Sequence, residues 1–197
     1  MSKILVTYAT NSGSTAEVAG AIAAELGQGG HTAEVRPIAE VKSLDEYDAV
    51  VVGAPMIFGW QNSACRFVRR NQAELAGKKT AYFACAMRIT HVQDENLTSI
   101  PLTLDANLVS EPAKPGRLNL KEKFTTLGHY LNPMLQAAPQ VKPFSVAFFN
   151  GKLEMFRLKW WQAVFVMIVV QAVPGDYRDW DAIKAWGKSL GQILAAP

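Results

Sequence analysis

Two hydrophobic periods alternate along this chain, and each switch between them marks an element. "KILVTY" (Lys3–Tyr8) is a short, β-rich run without a polar face, as expected of a strand buried on both sides. Val18, Ile22 and Leu26 then recur at helical spacing within Ala16–Leu26, with Ala19 and Ala23 beside them, and "GQGG" (Gly27–Gly30) ends the helix. "TAEVRPI" alternates as a second strand, and "YDAVVVGAP" (Tyr47–Pro55) is a third that stops at a glycine. "NSACRFVRRNQAEL" predicts a second amphipathic helix, burying Ala64, Phe67 and Val68 and exposing Arg66, Arg69 and Arg70. "KKTAYFACAM" is a fourth strand and "PFSVAFFNG" (Pro143–Gly151) a fifth.

Strands that alternate with helices in this way build an open parallel sheet with helices on both faces and right-handed crossovers. The expected fold is α/β, a doubly wound five-stranded parallel sheet in the order 2-1-3-4-5. One domain spans 1–197, with an insertion over about 88–141, before or within the fifth strand; it holds a helical candidate, "KEKFTTLGHYLNPMLQAA". A last helix spaces Trp180, Ile183, Trp186 and Leu190 along one side, with Asp179 as its N-cap.

Composition narrows the class. Hydrophobic residues make up 49% of the chain and charged ones 19%, enough for a sizeable core. The net charge of +3 comes without the dense basic stripe that nucleic acid requires. Cys65 and Cys85 stand far apart, consistent with a reducing compartment, and His31, His91 and His129 lack metal-ligand spacing, so no metal is expected. The sequence enters a strand pattern directly after Met1-Ser2-Lys3, and no stretch reaches the roughly 18–20 apolar residues of a membrane span. The expectation is a cytoplasmic protein. Its apolar segment 153–173, flanked by Lys152, Arg157 and Lys159, is open to three assignments: a helix buried on the sheet, a homodimer contact, or a peripheral contact with the cytoplasmic membrane face.

The chemistry concentrates behind the first strand. Thr10-Asn11-Ser12-Gly13-Ser14-Thr15 gathers hydroxyls around one glycine, with no cation in the turn, at the N-terminus of a helix and at the switch point of the sheet. Hydroxyls, backbone amides and the helix dipole suit a phosphate monoester. A P-loop is excluded because its Gly-Lys-Ser/Thr is missing, and so is the dinucleotide GxGxxG. The plainer alternative is a capping box between Ser14 and Glu17.

This loop resembles the phosphate loop of flavodoxin-like FMN proteins, and the resemblance extends to "GAPMIFGW" (Gly53–Trp60), to Ala84–Arg88 and to "GDYRDWDAI". Length, insertion and tail are most similar to the menaquinone-dependent protoporphyrinogen oxidase group. The resemblance implies that Thr10, Asn11, Ser12, Gly13, Ser14 and Thr15 hold the phosphate of one FMN. Pro55, Met56, Ile57, Phe58, Gly59 and Trp60 would line its ring, with Trp60 alternatively plain packing. Ala84, Cys85, Ala86 and Met87 would approach the pyrimidine edge through backbone groups. It further implies flavin-borne oxidoreductase chemistry without a catalytic side chain, in which a protoporphyrinogen gives electrons to a quinone in haem biosynthesis. The rivals are a flavodoxin-type electron carrier between protein partners and an NAD(P)H-dependent quinone reductase. Arg66, Arg69 and Arg70 would attract a carboxylate-bearing substrate or form a solvated helix face.

Overall fold

Along a strand successive side chains face opposite ways, so strands buried on both faces divide a core in two. The computed structural model describes residues 1–57, 59–91, 99–153 and 175–196. In chain order the strands are β1 (Lys3–Tyr8), β2 (Thr32–Pro37), β3 (Ala49–Pro55), β4 (Lys79–Ala86), β5 (Ile89–Thr90), β6 (Leu102–Leu104), β7 (Val109–Ser110), β8 (Ser145–Asn150), β9 (Lys152–Leu153) and β10 (Gly175–Asp176). The helices are α1 (Ser14–Gln28), α2 (Asn62–Arg70), α3 (Gln72–Ala76), α4 (Leu120–Lys123), α5 (Leu127–Gln136) and α6 (Trp180–Ala195).

The central sheet has the order β2-β1-β3-β4-β8-β6, and every pairing in it is parallel. The five expected strands lie in the expected order, with β8 as the fifth. The segment between β4 and β8 adds a sixth, because Leu102–Leu104 pairs with the outer side of β8.

Ile4, Val6, Val51, Phe83 and Phe149 face α1 and α6, where Val18, Ile22, Leu26, Ile183, Trp186 and Leu190 are buried. Leu5, Val50, Val52, Tyr82 and Phe148 take the other face, with Phe67 and Val68 of α2 and Leu131 and Met134 of α5. Each such side chain contributes about 1.5–3 kcal/mol on burial. The indole N–H of Trp186 donates to Ser145 Oγ at 2.9 Å, so α6 is fixed to the foot of β8 by a polar contact inside an apolar layer.

Two of the expected helices are broken, each by an identifiable side chain. Asn71 Nδ2 donates to Phe67 O at 2.9 Å, closing α2 before α3 begins. The candidate over 121–138 divides into α4 and α5. Asn119 and Glu122 make a capping box for α4, and Thr126 Oγ1 then accepts the His129 amide at 3.2 Å and starts a new helix. The apolar stretch 153–173 lies, beyond Leu153, outside the described residues, as does Phe58. Among the described residues no helix is long and apolar enough to cross a membrane.

Candidate functional site

The carboxyl ends of β1, β3 and β4 lie side by side, and the loops leaving them meet. Ala9 N donates to Gly53 O at 2.9 Å, tying the first loop to the end of β3. Met56 N donates to Cys85 O at 2.8 Å, tying the β3 loop to β4. Close approach is needed here: a Cβ on Gly53 would stand 1.9 Å from the Phe83 ring.

Within the first loop Thr10 Oγ1 accepts the Gly13 amide at 2.8 Å, and Gly13 adopts φ 93°, a left-handed conformation that suits glycine. Gly13 is the N-cap of α1 and supplies no capping side chain. The capping box is therefore not formed. Ser14 is already inside the helix, and Glu17 is engaged by Arg178, 2.9 Å away. The amides of Ser14 and Thr15 occupy the first helical turn, where no intrahelical acceptor exists, at the positive end of the dipole. Thr15 is fully buried, and its hydroxyl lies beside the Cys85 thiol without completing a hydrogen bond of proper geometry. A buried orphan hydroxyl costs about 1–3 kcal/mol, a cost that a bound oxyanion removes. These residues fit a phosphate.

The second loop divides its residues. Pro55 and Gly59, with Ile57 at 58% exposure, line a cleft of about 450 Å³ together with Asn11 of the first loop. Met56 and Trp60 turn inward and are each 3% exposed. The Trp60 indole N–H donates to Phe83 O at 3.3 Å and its ring lies 5.2 Å from that of Tyr82, so Trp60 packs inward while also standing among the residues that line the cleft. Gln61 and Ser63, at the start of α2, complete the cleft. Gln61 Nε2 donates to Asn11 Oδ1 at 3.1 Å, linking the two loops through side chains. Of the three arginines on α2, Arg66 alone lines the cleft.

Ala84, Cys85 and Ala86 belong to β4, within the expected strand "KKTAYFACAM"; Ala84 and Cys85 pair with both β3 and β8, and Ala86 with β8. The Cys85 and Ala86 carbonyls accept the amides of Met56 and Gly151, each at 2.8 Å. Only Met87 and Arg88 separate β4 from β5. Burial pushes the Cys85 thiol up to about 12, despite the Thr15 hydroxyl and the Arg178 charge that act against it. Cys85 is thus a neutral apolar filler at neutral pH. Among the described residues no three His, Cys, Asp or Glu side chains gather as a metal would need.

Arg178 is the residue that sequence reasoning missed. Its side chain is 2% exposed and donates through Nη1 to Ser14 O at 3.3 Å, from 164 positions further along the chain. The same guanidinium donates through Nε to Asp176 Oδ1 at 2.7 Å and lies 4.4 Å from the Trp180 ring centre. Arg178 holds the Asp176 carboxyl below its ordinary value, chiefly by hydrogen bonding. "GDYRDW" was the available signal, but nothing local to it names the first turn of α1 as its partner.

A family model described as the flavodoxin domain matches residues 5–179. Protoporphyrinogen IX dehydrogenase (quinone) of Escherichia coli strain K12 is 22% identical over an alignment of 206 positions, covering 99% of this chain and 98% of that protein. Among solved structures, a short-chain flavodoxin associated with a bacterial microcompartment superposes with a TM-score of 0.54 at 12% identity, covering 99% of this chain and 100% of that one. The two-electron reduced flavodoxin of Megasphaera elsdenii gives 0.49 at 13% identity, covering 96% of this chain and 98% of that one.

Proposed function

The chain belongs to the flavodoxin domain family, and from that premise we propose that it holds one FMN non-covalently and oxidises a protoporphyrinogen with a quinone as electron acceptor. The observation that carries the flavin assignment is the uncapped first turn of α1. Its amides, the left-handed Gly13 and the unsatisfied Thr15 hydroxyl await an oxyanion at the switch point of the sheet. The finer reaction is supported by likeness over nearly the full length of the Escherichia coli dehydrogenase, whose name states that chemistry.

Bound at this site, FMN supplies two-electron transfer at its ring. The chain's part is to bind and orient. Ser14 and Thr15 amides and the Thr10 and Thr15 hydroxyls donate to the phosphate, while Pro55 and Ile57 present an apolar wall to the ring. No carboxylate or imidazole lines the cleft among the described residues, so proton transfer is left to the substrate, the cofactor and water. The net charge of +3 suits a substrate bearing carboxylates better than docking to a basic redox protein.

The test is an absorption spectrum of the purified protein, followed by anaerobic mixing with protoporphyrinogen IX and re-oxidation with a soluble menaquinone analogue. A yellow protein that bleaches with the tetrapyrrole and recovers with the quinone is expected. A yellow protein inert to both would leave the flavin and remove the reaction. A colourless protein that releases no heat on titration with FMN would remove both.

A further inference from the structure

The first turn of α1 meets the C-terminal segment in a cluster of three charges. Arg178 sits between Glu17, 2.9 Å from its Nη1, and Asp176, which takes Nε and Nη2. Glu17 belongs to the same helical turn that offers its amides to the anion, and its side chain is 52% exposed. A carboxylate one turn into such a helix favours the dipole, but it opposes a second anion at the same terminus. Lys152, on the paired strand β9, adds a fourth charge that acts on Asp176, while Arg178 is the cation that engages Glu17 directly.

We propose that Arg178 sets the preference of this loop for a phosphorylated flavin over an unphosphorylated one, by neutralising the Glu17 carboxylate that otherwise repels the phosphate dianion. The proposal rests on the FMN assignment above. Arg178 acts through Glu17 and through the Ser14 carbonyl, and it is a positioning residue that does not touch the ligand. Its place is built. The guanidinium is buried against Trp180, its Nε and both terminal nitrogens are engaged, and α6 begins two residues later at Trp180, capped by Asp179 Oδ1, which accepts the Ala182 amide at 2.9 Å.

The arithmetic of charge gives distinct outcomes. Arg178→Gln makes the cluster one unit more negative, Glu17→Gln makes it one unit more positive, and the double variant returns it to the charge of the parent. One unit charge acting on a dianion within a Debye length near a surface shifts affinity on the order of tenfold. The experiment is calorimetric titration of the full chain and these three variants with FMN and with riboflavin, at low and at high salt. Arg178→Gln is expected to weaken FMN roughly tenfold at low salt and to leave riboflavin unchanged, with the difference shrinking at high salt. Glu17→Gln is expected to raise the ratio of FMN to riboflavin affinity several-fold, and the double variant to restore the wild-type ratio.

Loss of both flavins in equal proportion in Arg178→Gln would show mere loosening of the fold and overturn the proposal. So would a double variant no better than Arg178→Gln. Should Arg178→Gln fail to fold, Glu17→Gln decides, since it removes a half-exposed side chain; a ratio it does not move overturns the proposal. A wild-type chain that binds neither flavin sinks the FMN assignment itself. A wild-type chain that binds FMN with a ratio indifferent to Glu17 sinks only the role given to Arg178.

Discussion

Thr15 pairs a fully buried side chain with a hydroxyl that completes no hydrogen bond. A folded protein seldom keeps such a group unless something else satisfies it. Thr15→Val removes the hydroxyl and preserves the shape, so the ligand-free protein should unfold at the same or slightly higher urea concentration. FMN, by contrast, should bind at least tenfold more weakly, because a hydrogen bond to a charged group is worth about 1.5–3 kcal/mol. Urea titration and calorimetry on one variant separate the two effects, and a variant that loses stability while keeping its affinity would place Thr15 in the core alone. Cys85 gives the complementary case. Burial pushes its thiol up to about 12, and it is 6% exposed. At pH 8 a thiol reagent should modify Cys65, which is half-buried, slowly, and Cys85 only after urea unfolds the chain. Mass spectrometry of the labelled protein counts the two.

Elements, rather than single residues, hold the loops in place. Gly53 is the example: its missing side chain lets the Phe83 ring lie across β3 just where that strand delivers the cleft loop. Gly53→Ala puts a methyl 1.9 Å from that ring. Overpacking of this kind costs about 1–3 kcal/mol, measurable as a lowered urea midpoint with unchanged slope, and FMN affinity should fall too as Pro55 and Ile57 shift. The elements legible in the sequence were those that carry their own hydrophobic period: β1, β3, β4 and β8 as apolar runs, β2 as an alternation, and the helices α1, α2 and α6 at helical spacing. β6 was not legible, because three residues that are only partly buried or exposed carry no period to read. Nor was the interruption at Phe124–Thr126, since Thr126 caps a helix only once α4 has ended beside it. The hydroxyl loop was legible because its hydroxyls and glycine are contiguous. The inward turn of Trp60 and the partnership of Arg178 with Glu17 were not, because each depends on a contact between segments far apart in the chain.

Among the described residues, three carboxylates in separate parts of the molecule ionise more readily when folded than when unfolded. Glu34 on β2 is held down by the Tyr47 hydroxyl, 2.7 Å away, and by Arg36. Asp176 is held down by Arg178. Glu122 is held down by two backbone amides, of Ala113 at 2.8 Å and of Asn119 at 2.7 Å. A depressed pKa in the fold means that the unfolded chain takes up protons first as the pH falls. The stability these groups contribute is complete above their unfolded values, near about 4, and is lost as the pH passes down through their lower folded values. The unfolding free energy should therefore be nearly level from pH 7 to about 5 and decline in acid below about 4. Glu122→Gln tests one of the three: the Ala113 and Asn119 amides donate to different carboxylate oxygens, so the single amide oxygen of Gln keeps one of these bonds and its NH2 faces the other donor. The variant should be less stable than the parent at pH 7, and the two should converge towards pH 3 as Glu122 itself is protonated. A gap that stays constant across that range would mean that the charge on Glu122 contributes nothing and that the lost acceptor alone accounts for the difference.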